Sequence, residues 1–186
     1  MPDAIEMLRA DHDKVKKLFE EFKEAEDSRA KEQIVETSLR ELEVHAALEE
    51  EIFYPAAEEQ IDEKESIDEA REEHHVVKLL IGELKKMSAG DERYDAKYTV
   101  LAESVKHHIE EEESELFPKL EGKLDAEELG TEMETRKQEL QQQSQKRLRS
   151  QSKTGSGTRK GRQTQKSNKS RARKGGKKSA RTRKSA

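Results

Sequence analysis

The 186-residue sequence contains no cysteine and only three prolines. Without cysteine, the chain forms neither disulfide bonds nor thiolate metal sites. No stretch approaches the roughly 18 consecutive apolar residues of a membrane-spanning helix. The first residues also lack the basic region and apolar run of a secretory signal. We therefore expect a cytoplasmic protein without a transmembrane segment.

Acidic residues are missing from the last part of the chain. The last of them is Glu139, and residues 146–186 hold 17 of the 37 lysines and arginines. The rest of the chain has 20 basic and 42 acidic residues, a formal charge of −22, which the basic end reduces to −5 overall. This distribution is typical of an acidic domain followed by a basic tail.

The basic tail has no aromatic residue, and it is rich in Lys, Arg, Ser, Gly and Thr. Such a composition buries too little surface to offset the entropy lost on ordering, so we expect residues 149–186 to be disordered. Residues 146–186 have two main interpretations. They bind nucleic-acid phosphates without sequence preference, or they fold back on the acidic body of the same or another subunit. The lack of aromatics argues against base stacking, and an anionic membrane surface is a third, weaker alternative.

Helical periodicity dominates the acidic body. Apolar residues recur at three- and four-residue intervals in four segments, which begin near Asp3, Arg29, Ser66 and Glu92. A glutamate three residues after Asp3 and another after Ser66 predict capping boxes at the first and third helices. Residues 124–148 are polar and predict a marginal fifth helix or a linker.

The body contains two copies of a helical hairpin. The second hairpin repeats the apolar stripe of the first at an offset of 62 residues, with Ile5, Leu8, His12, Val15, Phe19 and Phe22 matched by Ile67, Ala70, His74, Val77, Ile81 and Leu84. At an offset of 63, His45-xxx-Glu49-xxx-Phe53-Tyr54-Pro55 is matched by His108-xxx-Glu112-xxx-Leu116-Phe117-Pro118. We predict an all-α fold in which residues 1–123 form an up-down-up-down antiparallel four-helix bundle.

Histidines and glutamates lie on the core stripes of this predicted bundle. A His and a Glu four residues apart share one helix face. Counting residues from each loop, at about 1.5 Å per residue, brings all of these side chains to roughly one level of the interior. The candidate metal ligands are His12, His45, Glu49, His74, His108 and Glu112.

A single core histidine is more often a hydrogen-bonded structural residue than a ligand. Two buried glutamates, however, are costly without a compensating cation. Imidazole and carboxylate suit iron, manganese or zinc, and six protein ligands are too many for one tetrahedral zinc. We predict two metal ions, of iron, manganese or zinc, bridged by the glutamates and by an oxo or hydroxo group.

The two triplets, with Phe-Tyr-Pro and Leu-Phe-Pro after the glutamates, resemble the hemerythrin family in its His-His-Glu cation-binding form. The resemblance covers residues 3 to about 123. It implies a non-haem di-iron centre that binds dioxygen or reacts with peroxide or nitric oxide, with the six candidate residues as its ligands. It implies at most a weak peroxide- or oxygen-dependent redox activity, and no catalytic residue is assigned.

One position departs from the oxygen-carrying members of that family. They have another histidine one turn after the residue matching His74, whereas this chain has Lys78. The difference favours redox chemistry, sensing or iron handling over reversible oxygen carriage. An alternative function is an iron-binding or iron-sensing module that the basic tail tethers to nucleic acid.

Four further residues near the predicted site have open roles. His75 and His107 lie off the core stripes, so we expect them beside the ligands or at the surface. Glu115 replaces Ile52 of the first hairpin and is a candidate extra ligand or access-channel residue. Tyr54 is a predicted core aromatic with an available hydroxyl.

Overall fold

The computed structural model describes the backbone of residues 3–62 and 64–155, and side chains as far as residue 146. All regular structure in these ranges is helical, and it comprises α1 (Ala4–Glu24), α2 (Ser28–Leu48), α3 (Tyr54–Glu58), α4 (Glu65–Leu84), α5 (Tyr94–Glu111), α6 (Phe117–Leu120) and α7 (Ala126–Gly155). Residues 156–186, most of the predicted disordered tail, lie outside the described ranges. None of the described helices combines enough length and apolar character to cross a lipid bilayer.

Two π-helical segments join helices that carry separate labels here. Glu49–Phe53 joins α2 to α3, and Glu112–Leu116 joins α5 to α6. The described chain is therefore a series of five helices, of which two contain a π-helical interruption. The prediction of an all-helical protein is confirmed.

The helix starts agree with the sequence at two of four positions. The Asp3 carboxylate accepts a hydrogen bond from the Glu6 amide at 3.0 Å, as its capping box predicts. The Asp27 carboxylate caps α2 by accepting a hydrogen bond from the Ala30 amide. The prediction of a capping box at Ser66 is wrong. Lys64 already has helical backbone angles and α4 begins at Glu65, so Ser66 lies inside the first turn.

The start of α5 also differs from the prediction. The helix begins at Tyr94 rather than near Glu92, because the preceding residues form a turn. In this turn the Asp91 carboxylate accepts a hydrogen bond from the Ser88 amide. Tyr94 is buried at this helix start. The first turn of α5 thus has a buried tyrosine and no hydrogen bond from a capping side chain.

The long helices pack as two hairpins, α1 on α2 and α4 on α5, with further contacts between α1 and α5 and between α2 and α4. Their apolar side chains form two separate clusters. On α1, Leu8 belongs to one cluster and Val15 to the other, and His12 lies between them. On α4, His74 lies in the same way between Ala70 and Val77. The histidines therefore occupy a polar layer between two apolar ones.

The helix α7 lies on the first hairpin. Its Met133 is fully buried in the apolar cluster that contains Leu8. The Lys137 ammonium binds both oxygens of Asp11 on α1, at 2.6 and 2.7 Å. A helix thus occupies residues 126–155, which include most of the predicted marginal segment. Its marginal stability stays a prediction.

Candidate metal centre

The two π-helical segments begin at the two predicted ligand glutamates. The amide of Tyr54 donates to the Glu49 carbonyl five residues earlier, and the amide of Phe117 donates to the Glu112 carbonyl in the same way. The next residue in each repeat is proline, which has no amide hydrogen to continue an α-helical ladder. Short π-helical segments are frequent at functional sites. The sequence analysis missed them, although the prolines marked the place.

The structure brings all six predicted residues together, and each of them is buried. The Nε2 atoms of His12 and His45 lie 3.1 Å apart, and those of His74 and His108 also lie 3.1 Å apart. The first pair comes from the first hairpin and the second pair from the second hairpin. The four ring nitrogens therefore converge as two matching pairs.

The two glutamates lie between the two histidine pairs. One oxygen of Glu49 is 3.1 Å from the His45 Nε2 atom, and the other is 3.3 Å from the His74 Nε2 atom. The Oε2 atom of Glu112 is 3.3 Å from the His12 Nε2 atom and 3.5 Å from the His108 Nε2 atom. Each carboxylate thus faces one histidine of each hairpin.

Three buried carboxylate oxygens in this layer have no hydrogen-bond partner. They are both oxygens of Glu49 and the Oε2 atom of Glu112. Unsatisfied buried carboxylates are unfavourable, because burial removes their hydration without replacing it. The atoms form two groups that could hold a metal, one with His12 and His45 and one with His74 and His108. Nitrogen and oxygen donors of this kind suit a transition-metal cation.

Carboxylates also fix the far side of three of the rings. The Nδ1 atoms of His12, His74 and His108 lie 2.8, 3.0 and 2.9 Å from oxygens of Glu113, Glu50 and Glu73 respectively. Since an ionised carboxylate only accepts hydrogen bonds, each Nδ1 atom carries the hydrogen. The Nε2 lone pair then points into the centre, as metal-binding histidines require.

Two of these supporting glutamates link one hairpin to the other. Glu50 follows Glu49 in the first hairpin and binds His74 of the second, whereas Glu113 follows Glu112 in the second and binds His12 of the first. The sequence analysis missed this role. A second glutamate directly after Glu49 and after Glu112 was its only trace in the sequence.

His45 is the exception among the four histidines. Its Nδ1 atom has no hydrogen-bond partner and lies 4.0 Å from the Asp11 carboxylate. Asp11 occupies the position that Glu73 has in the second hairpin, but its side chain is shorter, and it pairs with Lys137 of α7. The two halves of the layer are therefore similar but not identical.

Lys78 lies outside the polar layer. Its ammonium pairs with Glu50, the carboxylate that also binds His74. Lys16 occupies the matching position in the first hairpin and pairs with Glu113 at 3.1 Å. Both lysines therefore neutralise a carboxylate that orients a histidine, and neither points its nitrogen at the centre.

The tyrosine hydroxyl distinguishes the two glutamates. Tyr54 donates a hydrogen bond of 2.8 Å to the Oε1 atom of Glu112. Burial, followed by the charges of Glu49 and Glu112, raises the pKa of Tyr54 well above its usual value, so the hydroxyl keeps its proton. Its counterpart Phe117 has no hydroxyl and instead stacks on the His12 ring, with 5.8 Å between ring centroids.

The charges in this layer shift one another's protonation. Burial alone would raise the pKa of Glu49, but His45 and His74 lower it well below its usual value. Burial would lower the pKa of His108, yet Glu112, Glu73 and Glu49 raise it to about 9. A cation that binds the Nε2 atom of His108 must therefore displace a proton.

A cavity of about 20 Å³ adjoins the histidines. The histidines border it on one side, and the remaining wall is mostly apolar and includes Val15, Leu42, Ala46, Val77, Val105 and Ile109. A space of roughly 10–15 Å³ already accommodates one water molecule. The cavity is therefore large enough for a molecule of one or two heavy atoms.

The remaining candidates lie at or near the surface. His75 is exposed, and the His107 side chain is 63% exposed. Glu115 lines a separate opening of about 60 Å³ that also reaches Glu112 and His108. Among the described residues, the metal-binding groups that include Glu49 or Glu112 contain neither His75 nor Glu115.

Comparison with known proteins agrees with this geometry. The fold and the His/Glu layer define a helical cation-binding domain, and the family model of the hemerythrin HHE cation-binding domain matches residues 3–120. The chain belongs to this family. The family membership establishes the protein as a metal-binding one.

A solved relative has the same fold. The crystal structure of a hemerythrin HHE cation-binding domain-containing protein from Mycobacterium kansasii superposes with a TM-score of 0.69 at 26% sequence identity. The match covers 80% of this chain and 93% of that protein.

Two curated relatives are longer than the matched region. A protein named DNA nickase from Nostoc sp. (strain PCC 7120 / SAG 25.82 / UTEX 2576) is 30% identical over 140 residues, 74% of this chain. An uncharacterized hemerythrin-like protein of Schizosaccharomyces pombe (strain 972 / ATCC 24843) is 32% identical over 120 residues, 63% of this chain. The chain spans 40% and 59% of the lengths of these two relatives.

Proposed function

We propose that this protein holds two iron ions in its polar layer and binds, senses or detoxifies dioxygen, peroxide or nitric oxide. The observation that carries the proposal is Glu49, whose buried oxygens both lack a hydrogen-bond partner and face histidines of different hairpins. The six ligands are His12, His45, Glu49, His74, His108 and Glu112. When bound, the iron pair supplies the electrons for reaction with the small oxidant.

The chain itself provides the orientation of the ligands. Glu50, Glu73 and Glu113 keep the hydrogen on Nδ1 of their histidines, so each Nε2 atom is free to bind. Tyr54 donates a hydrogen bond to the Oε1 atom of Glu112, so that the Oε2 atom faces His12 and His108. The cavity of about 20 Å³ limits the ligand to a small molecule, and its apolar wall excludes bulk water.

The proposal includes the arrangement of the helices and the location of the protein. We place α1, α2, α4 and α5 in an up-down-up-down four-helix bundle, which the packing of α1 on α2 and α4 on α5 supports. We also place the protein in the cytoplasm. The thiolate-free ligand set agrees with iron rather than with a softer metal.

The decisive experiment combines metal analysis with spectroscopy on the purified full-length protein. Iron should be the main metal, and the reduced protein should develop near-ultraviolet charge-transfer bands when dioxygen, peroxide or nitric oxide is added separately. The matched control is Glu49→Gln, which should show none of these bands. Stoichiometric zinc with no optical response to any of the three oxidants would contradict the proposal.

A second candidate function, tethering of the iron site to nucleic acid, has two supporting observations. The tail of residues 146–186 carries 17 basic and no acidic residues, and one relative is named a DNA nickase. Duplex DNA binding should weaken steeply with salt, because phosphate contacts release counterions. Removal of residues 156–186, which leaves every described residue in place, should abolish it. Salt-sensitive binding that survives this truncation would contradict the tail's role.

A further inference from the structure

The outer faces of the two hairpins differ where they approach the polar layer. In the second hairpin, four glutamates line the opening of about 60 Å³: Glu69, Glu73, Glu111 and Glu115. The same opening is lined by His108 and Glu112 of the polar layer. Its lining, among the described residues, includes no lysine or arginine. An acidic passage therefore connects the surface with two of the candidate ligands.

The first hairpin closes the equivalent place. Glu69, Glu111 and Glu115 correspond to Met7, Leu48 and Ile52 at the offsets of the repeat. Met7 and Ile52 pack against the apolar cluster that contains Leu48 and the buried Met133 of α7. The duplicated fold thus has an apolar, helix-covered face on one side and an acidic, open face on the other.

A second cluster shares Glu73 and Glu111 with the lining of the acidic opening, and its third member, His107, is 63% exposed. The His107 Nε2 atom is 3.2 Å from a carboxylate oxygen of Glu111 and 3.8 Å from one of Glu73. The other oxygen of Glu73 accepts the Nδ1 hydrogen of His108 at 2.9 Å. Glu73, His107 and Glu111 form a group that could hold a metal, and Glu73 joins that group directly to the polar layer.

The inner end of the opening is suited to receive a cation. Glu112 is 2% exposed, and its Oε2 atom has no hydrogen-bond partner. A separate groove of about 670 Å³ is lined by three lysines and three glutamates, so its charges nearly balance: Lys16, Lys17, Lys106, Glu20, Glu110 and Glu113. A cleft whose charged groups are mainly carboxylates instead raises the local cation concentration.

We propose that ferrous iron reaches the centre through this acidic opening, binding first to Glu73, His107 and Glu111 and then passing to Glu112 and His108. The inference rests on the proposed iron centre and adds the route by which it is filled. The outer group is a transient binding site for a hydrated divalent cation. Because the matching face of the first hairpin is apolar and covered by α7, iron enters on the side of the second hairpin.

The test is the rate at which the metal-free full-length protein takes up ferrous iron without oxygen, measured by trapping unbound iron with a chromogenic chelator. Glu111→Gln combined with Glu115→Gln should slow uptake at low salt by about tenfold or more, because the steering charges are lost. The difference from the wild type should shrink at high salt. The final iron content should be unchanged.

Matched controls separate the route from general charge effects and from folding. Glu72→Gln combined with Glu110→Gln removes the same charge from exposed positions on α4 and α5, outside the opening, and uptake should stay fast. Glu115→Ile copies Ile52 of the first hairpin and should also slow uptake. Thermal melting checks that each variant is folded.

The outcomes distinguish this inference from the proposed function. If the Glu111→Gln, Glu115→Gln protein takes up iron as fast as the Glu72→Gln, Glu110→Gln control, the proposed route is wrong and the proposed iron centre is unaffected. A lower final iron content would overturn it as well, because Glu111 or Glu115 would then be a ligand. A wild-type protein that takes up no iron would overturn both proposals.

Discussion

The first hairpin, α1 and α2, and the second, α4 and α5, contribute the same ligand types in the same order but differ in what surrounds them. Each supplies two histidines and a glutamate that starts a π-helical segment. The first hairpin is covered by α7 and the second is open and acidic. Duplication thus accounts for the centre, and divergence of the two copies accounts for the difference between its two sides.

The two hairpins also differ inside the polar layer. Tyr54 of the first hairpin holds Glu112 of the second, whereas Phe117, its counterpart, contributes only an aromatic ring near His12. Glu49 therefore has two free oxygens and Glu112 has one. The two bridging positions should differ in how strongly they depend on a bound metal.

The largest expected effect comes from removing the charge of Glu49. The Glu49→Gln variant should lose iron affinity by more than the roughly 10–100-fold that loss of a residue hydrogen-bonded to a ligand costs. Glu50→Gln, its neighbour, removes only such a supporting residue and should stay within that range. Equilibrium titration of the metal-free proteins with ferrous iron measures both. Equal losses in the two variants would contradict the bridging role of Glu49.

The covering helix should matter to the stability of the first hairpin. Met133→Ala leaves a cavity under α7 and should lower the free energy of unfolding by about 2–5 kcal/mol. Leu79 is 58% exposed on α4, and Leu79→Ala should change it by less than about 0.5 kcal/mol. Urea denaturation compares the two variants. A Met133→Ala protein as stable as the wild type would show that α7 does not contribute to the packed core.

Tyr54→Phe makes the first hairpin copy the second at this position. The lost hydrogen bond to a buried carboxylate should cost about 1–3 kcal/mol in the metal-free protein and alter the spectrum of the iron-loaded one. Tyr98→Phe is the control, because its hydroxyl is hydrogen-bonded to Ser38 at 2.6 Å within the other apolar cluster. It should destabilise the protein and leave the spectrum unchanged. An unchanged spectrum in Tyr54→Phe would contradict the role assigned to the hydroxyl.

The smallest effect concerns pH. Since the pKa of His108 is raised to about 9, folding stabilises its protonated form. This contribution is complete below the unfolded pKa of about 6.5 and is lost as pH rises toward 9. Each kcal/mol of this loss should lower the melting temperature of the metal-free protein by about 2–4 °C between pH 6.5 and pH 9. Iron-loaded protein should not show this loss, because a ligating histidine is neutral. A metal-free melting temperature that rises over this interval would contradict the assignment.

The convergence of the six candidate ligands could be predicted from the sequence, because it depends on helical periodicity and duplication alone. A histidine on each apolar stripe and a His-xxx-Glu pair in each repeat leave few ways to fold without bringing them together. The structure places His12 and Glu49 where that argument expected them. Whether these residues bind iron stays a prediction.

The supporting carboxylates could not be identified in the same way. The chain has 42 acidic residues, and periodicity does not indicate which of them reaches an Nδ1 atom across the hairpins. The π-helical segments depend on a shift of the backbone hydrogen bonds after Glu49 and Glu112, which side-chain patterns do not encode. The position of α7 depends on the burial of Met133 in an otherwise polar helix. Each of these features needed three-dimensional contacts.

The central claim is that the two hairpins jointly hold a pair of metals. Anaerobic titration of the metal-free full-length protein with ferrous iron, followed to its endpoint by bound iron per chain, tests it most directly. Two histidine pairs that share Glu49 and Glu112 predict an endpoint of two iron ions per chain. An endpoint of one ion, or no binding at all, would contradict the account.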